Sequence, residues 1–221
     1  MTDLPDTVLA PAPLLLERLT IDLAGRTLVA LDTTIAPGEI LTVMGPSGSG
    51  KSTLLAAIAG FLPAAFRLSG HVRLGETLLD DLPAEQRRVG LLFQDPLLFP
   101  HLSVGGNLAF GMAPGGRRRE RRDRVDAALA QAGLEGYADR DPATLSGGQK
   151  ARVALLRVLL SKPRAMLLDE PFSSLDVALR DDLRRRLVAE IARRGLPALL
   201  VTHDPADAEA AGGRVVTLGE T

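Results

Sequence analysis

Ile40-Leu41-Thr42-Val43-Met44-Gly45-Pro46-Ser47-Gly48-Ser49-Gly50-Lys51-Ser52-Thr53 is the stretch that decides the fold. Its first five residues are a compact apolar run of strand length, set off by the Pro37-Gly38 turn. Residues 51–59 then read as a helix stopped by Gly60. Between strand and helix stands the spacing G-x-x-x-x-G-K-S. In that setting a glycine-rich loop turns its backbone N–H groups onto phosphate oxygens. Glycine lets the backbone approach closely, and the helix start adds the positive end of its dipole. Lys51 is placed to reach the β- and γ-phosphates of a nucleotide and Ser52 to bind Mg²⁺, with Thr53 following in the same first turn. Only three of the 26 cationic residues are lysines (Lys51, Lys150, Lys162), and a tight loop favours the compact ammonium over a guanidinium.

The flanks have the same grain. Residues 1–13, with Pro5, Pro11 and Pro13, read as a loose tail. Residues 14–16, 19–23 and 27–31 are short β-like runs, the last after a Gly25 turn. Residues 70–74 and 77–79 form a hairpin about Gly75, and residues 89–93 a further apolar strand. From Pro96 to Pro142 proline and glycine turns surround one charged helix, residues 117–132, stopped by Gly133. Ser146 is an N-cap for a helix reaching about Leu160. Residues 165–168 and 198–202 are buried parallel strands, with an amphipathic helix at 176–194 between them. Asp204-Pro205 opens a last short helix, and residues 214–218 are a last strand. Apolar strands alternating with helices give an α/β domain with a parallel sheet.

Composition closes off other classes. The 221 residues hold no cysteine, which excludes a disulfide scaffold, thiolate metal sites and cysteine nucleophiles. The hydrophobic fraction of 46% with 24% charge is that of a chain with a core, not of a disordered one. No run approaches the roughly 18 apolar residues of a membrane span, and residues 1–13 carry no basic residue of the kind that opens a signal peptide. The formal charge of −1 gives no global pull on nucleic acid. The local run Arg117, Arg118, Arg119, Arg121, Arg122, Arg124 reads as a solvated helix face, since acids interrupt it and no aromatic interleaves it.

A second set of residues belongs with the phosphate loop. Met166-Leu167-Leu168-Asp169-Glu170 is an apolar strand ending in two acids, at the end of a parallel strand where ligands bind. Asp169 is read as holding Mg²⁺ through water and Glu170 as orienting or deprotonating an attacking water. Gln94 and His203 end two other strands, where γ-phosphate sensors sit. Leu145-Ser146-Gly147-Gly148-Gln149 opens a helix with two glycines, a second anion-binding surface. One nucleotide has no use for two such surfaces, so the second serves the nucleotide of another subunit.

In order along residues 14–218, these motifs resemble the ATP-binding cassette (ABC) ATPases: the phosphate loop (Gly45, Pro46, Ser47, Gly48, Ser49, Gly50, Lys51, Ser52), Gln94, the LSGGQ signature, Asp169-Glu170, the D-loop Ser174-Leu175-Asp176 and the switch histidine His203. The resemblance implies a phosphate-loop nucleotidase fold with a mostly parallel core sheet, an N-terminal antiparallel β subdomain and a helical subdomain inserted at about 96–160, in one domain over 14–221. It implies ATP and Mg²⁺ as cofactors, with Ser52, Gln94 and Asp169 around the metal. A head-to-tail homodimer follows, in which Ser146, Gly147, Gly148, Gln149 and Asp176 of one copy meet ATP held by the other. Glu170 is then the base, with His203 and Gln94 in the catalytic set. The stretch from Phe93 to Gly111 resembles importer ATPases serving sugars, polyamines, iron and thiamine, with Phe99 and Leu102 either exposed apolar contacts for a permease or packed in the core of the helical subdomain. Eighteen residues after His203 leave no regulatory domain, as in thiamine-transport ATPases and an uncharacterised relative of them. Expected partners are two permease subunits at the cytoplasmic face of the inner membrane and, through them, a solute-binding protein, with no nucleic acid. Exporters, lipoprotein-release ATPases and non-transport cassette proteins share the chemistry. The family pattern fails once: no aromatic precedes the phosphate loop to stack on adenine, since the first in the chain is Phe61. The expected slot falls near residues 23–25, leaving apolar contact from Leu23 or Leu28.

Overall fold

In the computed structural model, residues 10–173, 175 and 177–219 are described. Two sheets make up the β structure. The first is antiparallel in the order β2-β1-β4-β5, built from β1 (Leu14–Leu23), β2 (Arg26–Ile35), β4 (Phe66–Leu74) and β5 (Thr77–Leu78). The second is parallel in the order β6-β7-β8-β3-β9, from β3 (Ile40–Met44), β6 (Val89–Leu92), β7 (Ala165–Asp169), β8 (Ala198–Val201) and β9 (Val215–Thr217). The two short runs expected at the start are one ten-residue strand. A bulge at Arg18, which takes φ 47°, shifts its register between Leu16 and Leu19.

Alternation sorts the parallel strands between two cores. Leu41, Val43, Leu167, Leu199 and Val201 face the antiparallel sheet and helix α1 (Lys51–Ala59). Met166, Leu168, Ala198 and Leu200 face α4 (Gly147–Leu160) and α5 (Val177–Arg194), meeting Leu155, Leu183, Leu187 and Ile191. Apolar residues on both faces are why these strands read as continuous hydrophobic runs. The last helix is α6 (Pro205–Ala211), capped by the Asp204 carboxylate on the Ala206 N–H.

A third core lies between β6 and β7 in sequence. There α2 (Val104–Gly111) and α3 (Arg118–Gln131) pack on the first part of α4 through Val104, Leu108, Val125, Leu129 and Val153. Helix α2 is absent from the sequence reading. Its glycines and Asn107 oppose helix formation by propensity, yet packing demands them. A Cβ on Gly111 would come within 2.3 Å of the Arg157 carbonyl oxygen, so glycine is what lets α2 lie against α4. The Asn107 side chain, fully buried, accepts from Phe99 N at 2.8 Å and donates to the carbonyls of Phe99, Ser103 and Leu102. In the basic run, Arg121 donates to the carbonyls of Ala113 and Ala109, and Arg122 pairs with Asp126 and Asp139.

Candidate nucleotide site

Strands β6, β7, β8 and β3 are consecutive neighbours and all parallel, so their carboxyl ends lie side by side. Gln94 follows β6, Asp169 ends β7 with Glu170 after it, His203 follows β8, and residues 45–52 follow β3. Residues up to 158 apart in sequence thus meet along one edge, the place where open parallel sheets bind ligands.

The loop after β3 is shaped as an anion cradle. Gly50 is the N-cap of α1 at φ 90°, and no side chain caps that helix end, so its first N–H groups keep their hydrogen-bonding capacity. A Cβ on Gly50 would stand 2.7 Å from Val29 Cγ2, and one on Gly45 would stand 2.7 Å from the Leu218 carbonyl oxygen. Gly48, at φ 82°, has open space beside it and forms the mouth of the loop. Lys51 is buried, and its Nζ donates to the carbonyls of Gly45 at 2.7 Å and Pro46 at 2.8 Å. The ammonium therefore lies over the loop rather than in solvent. The Ser49 hydroxyl is buried without a partner among the described residues. Pro46, Ser47 and Ser52 are partly or well exposed, and Thr53 is half-buried behind them.

Ser52 Oγ and Asp169 Oδ1 are 3.5 Å apart. A hydroxyl and a carboxylate oxygen this close are hard oxygen donors of the kind Mg²⁺ takes, the Ser52 hydroxyl directly and the Asp169 carboxylate through water. Burial pushes the Asp169 carboxyl above the usual carboxylate range, and the neighbouring Glu170 adds to the rise, while Ser52 and Lys51 oppose it. A desolvated carboxylate short of positive charge is suited to a cation. Among the described residues no three His, Cys, Asp or Glu cluster as a metal cage.

Glu170 takes φ 45°, a left-handed conformation that costs a side-chain-bearing residue about 1–2 kcal/mol. Its N–H donates to the Val201 carbonyl at 2.9 Å, which fixes the turn. Glu170 Oε1 lies 3.0 Å from His203 Nδ1, and the imidazole is 65% exposed. A carboxylate and an imidazole thus sit in contact at the open edge beside the loop. Gln94 is exposed and makes no hydrogen bond among the described residues.

Ser146 caps α4. Its hydroxyl accepts from Gln149 N, and Gln149 Oε1 accepts from Ser146 N at 2.9 Å. Gln149 Nε2 reaches the Tyr137 hydroxyl at 3.4 Å, and the Arg140 guanidinium covers the tyrosine ring at 3.8 Å. Gly147 has open space around it, while Gly148 is buried against Leu179 of α5. The hydrogen bonds of Ser146 and Gln149 stay within the helical insertion. Ser174 and Asp176 lie outside the described residues.

With this geometry in view, the comparisons with known proteins are decisive. The family described as ABC transporter matches residues 28–173. The chain belongs to the ABC transporter family. It is 50% identical over 185 residues to the uncharacterised ABC transporter ATP-binding protein YnjD of Escherichia coli, covering 84% of this chain and 85% of that one. It is 45% identical to the thiamine import ATP-binding protein ThiQ of Mesorhizobium japonicum, covering 88% and 76%. Iron and molybdenum import relatives are longer, and the chain spans 53–60% of their length. Among solved structures, a dimeric post-hydrolysis state of the ATP-binding cassette MJ0796 bound to ADP and Pi aligns with TM-score 0.75 and 31% identity, covering 93% and 94%. Of the site residues, Asp176 and His203 fall beyond the span matched by the ABC family.

The structure adds two details to the sequence reading of this ABC protein. Of the two readings of Phe99 and Leu102, packing is the one found: both are half-buried. Phe99 packs edge-on against Phe110 at 4.6 Å, beneath the Arg157 guanidinium. The exposed apolar residues of that stretch are Phe93, Leu97 and Phe110. Leu97 is lifted by its own positive φ of 44°, and Arg157 holds it there through the carbonyls of Leu97 and Pro96. On the base side, the β1–β2 turn carries Leu23 at its exposed end, and Leu28 packs beside Gly50. No helix among the described residues is long and apolar enough to cross a membrane.

Proposed function

We propose that this ABC ATPase is the energy-supplying subunit of a membrane importer, acting as a head-to-tail dimer on Mg²⁺-ATP. The observation that carries the reading is the Glu170–His203 contact at the edge shared by the phosphate loop and Asp169. A nucleotide-binding regulator has no use for a carboxylate and an imidazole poised where a γ-phosphate ends. In this reading the N–H groups of residues 45–52 hold the phosphates, and Lys51 leaves its carbonyl partners for the β- and γ-oxygens. Ser52, Gln94 and Asp169 would hold Mg²⁺, which would supply charge neutralisation on the phosphates. Glu170 takes the proton of the attacking water, and His203 keeps water and γ-phosphate in register.

Ser146, Gly147, Gly148, Gln149 and Asp176 serve the nucleotide held by the partner copy. Residues 14–221 then act as one ATPase domain whose helical insertion, about 96–160, presents Leu97 and Phe110 to a permease. The site of action is the cytoplasmic face of the membrane, through two permease subunits and, beyond them, a solute-binding protein. Support for import comes from the relatives whose names specify import of thiamine, iron or molybdenum.

The test is Glu170→Gln with Mg²⁺-ATP. Turnover is lost and the chain elutes as a dimer that the wild type forms only transiently. A variant that stays monomeric with unchanged turnover refutes the mechanism.

A further inference from the structure

The residues flanking His203 are held by a partly buried ionic network that the reaction scheme does not use. These flanking residues are Thr202 and Asp204. Thr202 Oγ1 accepts from the Asp204 N–H at 3.1 Å and donates to Asp207 Oδ2 at 2.8 Å, closing the loop on itself. Thr202 and Asp207 are both almost wholly buried. Two arginines of α5 bind this loop from the other side. Arg184 Nε donates to Asp207 Oδ1 at 2.6 Å, a second Arg184 nitrogen reaches the same oxygen, and Arg184 also reaches Asp204 Oδ2 at 3.4 Å. Arg180 donates to Asp204 Oδ2 at 2.8 Å, and its other terminal nitrogen donates to the Leu175 carbonyl at 3.4 Å.

One guanidinium therefore spans two segments. At one end is the backbone of Leu175, in the stretch just before α5; at the other is the residue following His203. Buried ion pairs give little net stability against apolar replacements, and their best-attested use is to fix one geometry among several. A planar fork with two separate acceptors fixes the relative placement of those acceptors as no single hydrogen bond does.

We propose that Arg180 and Arg184 are positioning residues for ATP hydrolysis, tying the Leu175 backbone to the His203 loop so that the imidazole reaches Glu170 only when α5 is in register. This rests on the reading of Glu170 and His203 given above. The connection has named endpoints, the Leu175 carbonyl and the Asp204 carboxylate beside His203.

The experiment measures steady-state turnover and nucleotide affinity of the full chain for Arg180→Ala and Arg180→Lys. Arg180 is the better target because Arg184 is more deeply buried and more extensively paired. The expected result is a fall in kcat of about tenfold for Arg180→Ala, with KM and nucleotide affinity within about twofold. Lysine recovers part of the loss, since an ammonium meets Asp204 but does not hold Leu175 in a fixed fork. A kcat within twofold of wild type overturns the proposal. So does a parallel fall in kcat and affinity, the pattern of a damaged fold. Where the alanine variant does not fold, Arg180→Gln is read by the same criteria. His203→Ala is measured beside them. If it leaves turnover intact, the assignment of His203 itself is wrong; if it abolishes turnover while Arg180→Ala does not slow it, the coupling alone fails.

Discussion

Asn107→Ala separates the architecture of the helical insertion from the chemistry of the nucleotide edge. The native amide serves Phe99 N and the carbonyls of Phe99, Ser103 and Leu102 from a fully buried position. The Ser103 carbonyl keeps its bond from the Asn107 N–H, and the Leu102 contact is long at 3.3 Å. The Phe99 carbonyl likewise keeps the Leu102 N–H at 3.2 Å, so the real losses are the Phe99 N–H, left buried without an acceptor at about 2 kcal/mol, and a small void of about 1 kcal/mol where the amide stood. Alanine returns about 0.5 kcal/mol in helix propensity. The net is a destabilisation of about 2–3 kcal/mol, or a fall in Tm of roughly 5–10 °C for a domain of this size. Denaturant titration with a two-state fit reads it directly. Asn107→Asp is nearly isosteric and keeps an acceptor for Phe99 N, but sets a carboxylate against three carbonyl oxygens. It is expected to cost more than alanine at neutral pH. Basal ATP turnover in Asn107→Ala stays within about twofold of wild type, because Asn107 bonds to no residue of the nucleotide edge. An alanine variant within about 0.5 kcal/mol of wild type, or an aspartate variant more stable than it, refutes the reasoning.

Other expectations are more local. Gly50→Ala forces a side chain into a left-handed backbone and onto Val29, so ATP affinity falls at least about tenfold by titration; near-native affinity contradicts the cradle geometry. With Leu23 and Leu28 rather than an aromatic near the base, the chain discriminates weakly between ATP and GTP, and a GTPase rate far below the ATPase rate is the contrary result. Chelating divalent cations with EDTA stops turnover, and Asp169→Asn raises the Mg²⁺ concentration needed for half-maximal rate; equal Mg²⁺ dependence in the variant removes Asp169 from the metal. The Arg214 hydrogen bond holds the Glu39 carboxyl below its ordinary value of 4.5. Its folded pKa is the lower one, so its stabilising effect is complete above about pH 4.5 and is lost as pH falls through the folded value. Glu39→Gln flattens the acid side of the stability profile, and an unchanged acid slope counts against this pair.

What was readable in the sequence followed from local chemistry. Helix α1 has the bounds expected of it because glycine begins and ends it. The strand ends carrying Asp169 and His203 were visible because apolar runs stop abruptly at polar residues. What escaped depended on distant partners. Helix α2 looked like a loop because two of its glycines answer to distant partners, Gly111 to the Arg157 carbonyl of α4 and Gly105 to the Ala138 carbonyl. Leu97 rather than Phe99 is exposed because Arg157 pins the loop from α4, and no pattern near residue 97 signals it. The Arg180 and Arg184 network joins residues 20–24 apart in sequence across two helices. Its arginines look like an ordinary charged helix face until the partners are folded opposite them. The adenine slot was legible only as an absence, the missing aromatic before Phe61.

The pairing of Tyr137 with the first turn of α4 has a practical consequence. The chain has no tryptophan and a single tyrosine, so emission excited near 280 nm comes from one side chain. That ring lies under a guanidinium, and its hydroxyl is within reach of Gln149. In the proposed dimer, closure of a second copy on Ser146 and its neighbours changes the surroundings of the one fluorophore. Closure and reopening can then be timed in stopped flow on unlabelled protein, by the light of a residue that evolution left alone in the chain.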